Sequence, residues 1–277
     1  MASPAAVGGS LLGAGAIGVG SAYLAGAFGG LDPSEPNRVL LSDYSQSSSA
    51  YTEGDKIGKA YKNYLVAPIG SKTTGGVTTN NEAWWKWSYK RWQADSGSRN
   101  NVLSTEFEND KKINSAFSST IPSPTVSPKA LNQVCEDIYK QDKSSLIPVG
   151  NATENKTKLK NDLFKYCSIL GEVKTISEVE DADYGENTKG KDATNSKKFV
   201  AVKGNDKFWE IRNKEFYGDD SGEKSKSKST VGTSKFKAKS VETPRPKIRD
   251  ICEEAYRSGK DESTDYPSAE VNIFCVL

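Results

Sequence analysis

Two stretches of the chain place apolar side chains at the same helical spacing. Leu131, Val134, Cys135, Ile138 and Tyr139 fall at i, i+3, i+4, i+7 and i+8, and Ile248, Ile251, Cys252, Ala255 and Tyr256 repeat that spacing. Each set is one face of an amphipathic helix. Ser127-Pro128 and Thr243-Pro244 stand upstream, each a capping residue followed by the proline favoured at a first helical position. Leu159, Leu163, Phe164 and Cys167 form a further helical face, so the first stretch predicts a helix hairpin. Ile57, Ala60, Tyr61 and Tyr64 predict a short helix within 51–69. In AWWKWSYKRW, Trp85, Tyr89 and Trp92 share one helical face, with Lys86, Lys90 and Arg91 among them. Phe199-Val200-Ala201-Val202 and Phe208-Trp209-Glu210-Ile211 flank Gly204-Asn205-Asp206 and read as a β-hairpin.

The pattern at the amino terminus is different. Residues Ala2 to Leu31 carry no charge and are rich in Gly and Ala. An apolar run above about 18 residues is a candidate membrane helix. Ser10, Ala14, Gly18, Ala22, Gly26 and Gly30 recur every fourth residue, a smooth stripe along which a second helix could pack into a homo-oligomer. Three readings stay open: an uncleaved signal anchor, which the length favours; a cleaved signal peptide with Ala25-Gly26-Ala27 as its small-residue site; and a Gly-rich tail. The missing basic n-region counts against the second. Orientation is weakly determined, because only Arg38 lies close after the run.

Polar segments separate these elements. Residues 32–50 read as a Pro/Ser linker, and Gly70-Ser71-Lys72-Thr73 lacks the spacing of a phosphate loop. Asp181, Asp183, Glu186 and Asp192 do not keep the order of a calcium loop. Between Ser221 and Arg249, nine Lys/Arg face only Glu223 and Glu242, with few apolar residues. Such a run cannot offset the entropy of ordering and predicts disorder over 218–244. The whole chain balances 38 basic against 36 acidic side chains, which excludes a protein whose entire surface recruits a polyanion. It has no histidine, so Ser-His-Asp and Cys-His machinery is excluded and the commonest metal ligand is missing. No cofactor is expected.

Each amphipathic Cys helix is followed by a second Cys after an aromatic residue, in Tyr166-Cys167 and Phe274-Cys275. Four Cys allow three pairings. The repeat favours Cys135–Cys167 and Cys252–Cys275, which would require an oxidising compartment; the other reading is four reduced, buried thiols.

In these features the chain resembles the large paralogous protein families of haemotropic mycoplasmas. It shares their short Gly/Ala-rich opening span, a Trp/Lys segment, a C-[ED]-x-x-Y helix and an aromatic-Cys-hydrophobic ending, here Phe274-Cys275-Val276-Leu277. The Ser/Lys arm and the unequal Cys modules depart from that pattern. The resemblance implies a membrane-anchored or surface-exposed protein that meets host molecules or varies antigenically. It implies no enzyme activity and no site residue.

The expected architecture is mainly α with some β. A transmembrane helix over 1–31 and a linker over 32–50 precede a Trp-rich segment over 51–126. A first Cys module with the hairpin over 127–217, a disordered Lys/Ser linker over 218–244 and a second Cys module over 245–277 complete it. The leading expectation is a single-pass cell-membrane protein with its bulk outside, binding an unknown, host-derived protein. Trp85, Tyr89, Trp92, Lys86, Lys90 and Arg91 read first as a core helix with basic residues at its edge; the sharper alternative is a binding surface for membrane or a partner protein. The alternative is a cytoplasm-facing tether that binds acidic lipid or nucleic acid through Lys224–Lys239. Nucleic acid is the least favoured partner of the Trp cluster.

Overall fold

The protein is described from a computed structural model, covering residues 35–46, 48–74, 76–97, 102–110, 112–120, 127–146, 154–180, 183–218 and 232–277. Helices dominate: α1 (Ser49–Thr52), α2 (Ile57–Tyr61), α3 (Glu82–Ser96), α4 (Leu131–Tyr139), α5 (Asn155–Cys167), α6 (Asp206–Tyr217), α7 (Lys235–Lys239), α8 (Ile248–Arg257) and α9 (Ser268–Phe274). Strands β1 (Lys72–Thr74) and β2 (Val77–Thr79) pair antiparallel, and β3 (Ile113–Ser115) and β4 (Lys129–Ala130) pair parallel.

The periodic faces bury as their spacing requires. Leu131, Cys135, Ile138 and Tyr139 of α4 are inaccessible or nearly so, as are Ile248, Ile251, Cys252, Ala255 and Tyr256 of α8. Both helices begin later than their prolines. Lys129 N donates to Lys112 O at 2.9 Å, so Ser127-Pro128 leads into β4 rather than into the helix. The first amide of α8, Ile248 N, is taken by Asn213 Oδ1 at 2.9 Å. The Cys pairs are disulfide-bonded, Cys135–Cys167 with Cα atoms 5.8 Å apart and Cys252–Cys275 with 5.6 Å.

The likeness between the two Cys helices extends through most of the described chain. In the first copy Val66 N donates to Cys167 O, Ala67 N to Val39 O and Leu41 N to Leu65 O. In the second, Val200 N donates to Cys275 O, Ala201 N to Lys174 O and Ile176 N to Phe199 O. The Tyr139 hydroxyl lies 2.9 Å from Val66 O and 3.0 Å from Cys167 O; Tyr256 lies 2.9 Å from Val200 O and 3.0 Å from Cys275 O. A phenol has one proton, so each is shared between the carbonyl of a disulfide Cys and that of the Val whose amide bonds the same Cys. Asn81 and Asn205, which precede α3 and α6, play matching parts. Each accepts from one backbone amide (Val39, Lys174) and donates to two carbonyls (Val39 and Ala67; Lys174 and Ala201). Trp85 and Trp209 then donate their indole N–H to the same Ala67 and Ala201 carbonyls. Tyr51 meets Tyr139 edge-on, as Tyr184 meets Tyr256. Gly58 and Gly190 allow those contacts, since a Cβ would stand 2.4 Å from Tyr51 O in one copy and 2.8 Å from the Tyr184 ring in the other.

The copies meet along a polar seam. Tyr64 Oη donates to Glu215 Oε1 at 2.6 Å, Arg212 reaches Tyr64 Oη, Glu215 and the Val276 carbonyl, and Lys160 pairs with Glu178.

The predicted hairpin at 199–211 is corrected. Phe199 and Val200 are extended, bridging Val276 and Thr175, but Asp206–Tyr217 is helix α6. Asn205 turns the chain, Asp206 suits the helix N-terminus, and Phe208, Trp209, Ile211 and Phe216 bury one face. A four-residue apolar run cannot by itself distinguish strand from helix. The predicted disorder over 218–244 is corrected for 232–244. Ser234 Oγ caps α7 by accepting from Lys237 N, and Phe236 is fully buried against Phe216, Phe274 and Tyr266. Residues 219–231 lie outside the described residues, as does the stripe Ser10, Ala14, Gly18, Ala22, Gly26 and Gly30 with the whole uncharged run. No helix among the described residues is long and apolar enough to cross a membrane.

Candidate functional site

Helix α3 carries the aromatic and basic cluster, and its burial divides the six candidate residues. Trp85 is 0% exposed and Trp92 3%, and Trp92 Nε1 donates to Phe107 O at 2.8 Å. These two are core side chains, as the core-helix reading expects, which removes them from the alternative binding surface: the i, i+4, i+7 face is the one turned inward. Tyr89 is half-buried and stacks on Trp92. Lys86 and Lys90 lie on the outer face; Arg91 is half-buried and spreads over the Trp87 ring, 4.6 Å from its centroid. Trp87 was not singled out by periodicity, because it falls off the core stripe. It is half-buried, tilted against Trp84 at 5.8 Å, and belongs to the accessible flank of the helix.

That flank abuts the first described residue of the chain. The Glu35 side chain is buried, and its carboxylate meets Arg38 Nη1 at 3.2 Å, Lys207 Nζ at 2.8 Å and the Trp84 indole N–H at 3.1 Å. Burial pulls the Lys207 ammonium below its usual range while Glu35 opposes that fall; Arg91 lies close enough to add to it. The result is one continuous array, Glu35–Trp84–Trp87–Arg91, with Lys86 and Lys90 beside it. Glu82 pairs with Lys86 at 2.7 Å.

The second copy holds an open cleft of about 350 Å³ lined by Glu180, Asp183, Tyr184, Lys203, Glu253 and Arg257, among others. Within it Arg257 bonds Glu253 at 2.9 Å and lies over the Tyr184 ring, and Lys174 lies 3.5 Å from Glu172. The first copy differs here, since fourteen positions separate Ala67 from Asn81, including β1 and β2, against four between Ala201 and Asn205. Among the described residues no cluster of carboxylate or thiolate side chains is placed to hold a metal ion.

In α7, Lys239 pairs with Glu254 at 3.0 Å, so this end of the Lys224–Lys239 arm is tied to α8.

One buried acid makes a direct prediction. Asp162 Oδ2 accepts from Ser104 N at 2.7 Å, and burial pushes its carboxyl up to about 6 against the lowering pull of that bond. Between about pH 4 and 6 the folded chain holds a proton that the unfolded chain has released. Stability from this group is therefore full below about pH 4 and is lost as pH rises through 6. Asp162→Asn keeps an oxygen for Ser104 N and removes the titration. Urea midpoints from pH 4 to 7 should fall more steeply in the parent than in this variant; parallel curves would reject the assignment.

Much of the repeated framework has a counterpart in short sequence patterns that helical periodicity does not pick out. Asn81-Glu82-Ala83-Trp84-Trp85 and Asn205-Asp206-Lys207-Phe208-Trp209 share an N-[ED]-x-[WF]-W pattern, and Leu65-Val66-Ala67 parallels Phe199-Val200-Ala201.

Comparison with protein families, characterised proteins and solved structures gives no match to this chain.

Proposed function

We propose that the chain is a membrane-tethered surface protein whose disulfide-stapled body binds another protein and performs no catalysis. The observation that carries this reading is the pair of disulfides. All four Cys are bonded and wholly inaccessible, and each bridge is clamped by the hydroxyl of a buried Tyr. Such bridges persist in oxidising surroundings and are rare where thiols are kept reduced. The uncharged run Ala2–Leu31 supports a single-pass anchor, and the resemblance to paralogous families of haemotropic mycoplasmas supports a surface role facing host molecules.

Thiol labelling of intact and of lysed, denatured cells, with and without reductant, tests the proposal. All four Cys should label only after reduction, and 135–167 and 252–275 peptides should be recovered cross-linked by mass spectrometry. Labelling without reductant, and only after lysis, would overturn it in favour of a cytoplasm-facing tether.

A further inference from the structure

We infer that the outer flank of α3, formed by Trp87, Arg91, Lys86 and Lys90, is a contact surface for anionic lipid headgroups. The inference rests on the reading of Ala2–Leu31 as a membrane anchor and adds where the folded body sits relative to that membrane.

Three observations carry it. The first is distance along the chain. Only Asp32, Pro33 and Ser34 separate the uncharged run from Glu35. Four residue steps span at most about 14 Å. The headgroup layer adds about 5–8 Å on each side of the hydrocarbon. With the run in the bilayer, Glu35 therefore stands in the headgroups or within about 10 Å of them.

The second is the fixity of that point. The Glu35 carboxylate is buried between Arg38 of its own copy, Lys207 of the other and the Trp84 indole. A carboxylate with two cationic partners and an indole donor is held by charge-assisted bonds, so the chain leaves the body at one place. Whatever surrounds that place is forced to the same depth.

The third is the chemistry of the surroundings. Trp84 touches Glu35 on one side and Trp87 on the other, and Arg91 covers Trp87. Trp87 is half-buried, with Lys86 and Lys90 exposed one face further round the helix. Glu82 offsets part of the charge through Lys86, and Asp95 lies close enough to Arg91 for their charges to interact; the three cations Lys86, Lys90 and Arg91 outnumber these two acids. An indole bordered by Lys and Arg is the composition suited to the water–lipid boundary: the ring takes the interface, and the cations take headgroup phosphates. The surface reads the same on either side of the membrane, so the inference does not depend on orientation.

The test uses the full chain reconstituted into phosphatidylcholine vesicles with or without phosphatidylglycerol, doped with lipid brominated close to the headgroup. Flotation at high salt reads the anchor, and bromine quenching of tryptophan fluorescence reads the flank. The expected result is flotation in both lipids, with quenching that is larger in the anionic vesicles, falls on adding salt and is mostly lost in Trp87→Phe. Lys90→Glu, at an exposed position outside the core, should lose the anionic excess of quenching while still floating. Flotation with quenching unchanged in both variants would overturn the inference and leave the anchor standing. Failure to float would overturn both.

Discussion

Asn81→Ala is expected to destabilise the protein by about 2–4 kcal/mol, and Asn205→Ala by a similar amount. Both side chains are buried. The Asn81 amide accepts from Val39 N at 2.7 Å and donates to Val39 O at 2.9 Å and Ala67 O at 2.7 Å. Truncation orphans the Val39 amide completely. The two carbonyls keep one partner each, because Ala67 N still donates to Val39 O and the Trp85 indole to Ala67 O. One wholly unsatisfied buried donor costs about 1–3 kcal/mol, and two weakened acceptors add to it. Asn205 has the same arrangement around Lys174 and Ala201. Asn81→Asp discriminates the cause: it keeps the acceptor for Val39 N but turns a carboxylate toward two carbonyls, so it should be no better than alanine. Urea midpoints under oxidising conditions measure all three. A loss below about 0.5 kcal/mol in both alanine variants would show that the amides are not the pins that join strand to helix.

The sequence revealed its helices where burial is periodic and concealed them where a single contact decides. The faces of α4 and α8 were legible because five apolar positions in nine residues fix the period, and the pairing of the Cys followed from the parallel between the two stretches. The remainder of the duplication was hidden by unequal insertion. Ala67 and Asn81 are fourteen positions apart while Ala201 and Asn205 are four, so the strand and the helix it feeds fall out of register between copies. Strands of three residues carry too little pattern to restore that register. Helix α7 was hidden for another reason: Phe236 is its one large apolar side chain, and three lysines surround it. Phe236 nonetheless fills the place beside Phe274 that Phe107 fills beside Tyr166. In α3 the period was correct, and of the two directions it left open the inward one is found, with Trp85 and Trp92 in the core and Lys86 and Lys90 outside. Spacing groups Trp85, Tyr89 and Trp92 without saying whether the group faces water, whereas the accessible indole, Trp87, belongs to no stripe. The polar seam between the copies left no linear signature, because Tyr64 and Glu215 are 151 residues apart.

Replacing Cys135 and Cys167 together by alanine is expected to cost about 4 kcal/mol or more, and the Cys252–Cys275 pair slightly less. The bridges close loops of 32 and 23 residues. Loop-closure entropy of the unfolded chain accounts for about 3.5 kcal/mol in each, and the dependence on length separates them by only about 0.3 kcal/mol. Removing two buried sulfurs adds a cavity term on top. The native contacts raise the stakes further, because each bridge holds a carbonyl, Cys167 O or Cys275 O, in place for both a backbone amide and a Tyr hydroxyl. A broken bridge therefore loosens the strand as well as the helix. Reduction kinetics separate this account from one in which the bridges are decorative. All four sulfurs lie in residues with no accessible surface, so a thiol reagent reaches them only through opening of the fold. Reduction of the parent should be slow in native buffer and should accelerate with urea in step with unfolding. Asn81→Ala, which loosens the same strand, should speed reduction of Cys135–Cys167 more than that of Cys252–Cys275. Equal acceleration of both would mean that the two copies open as one unit across the seam. Rapid reduction of the parent without denaturant, with its melting temperature unchanged, would show that the bridges do not hold the fold.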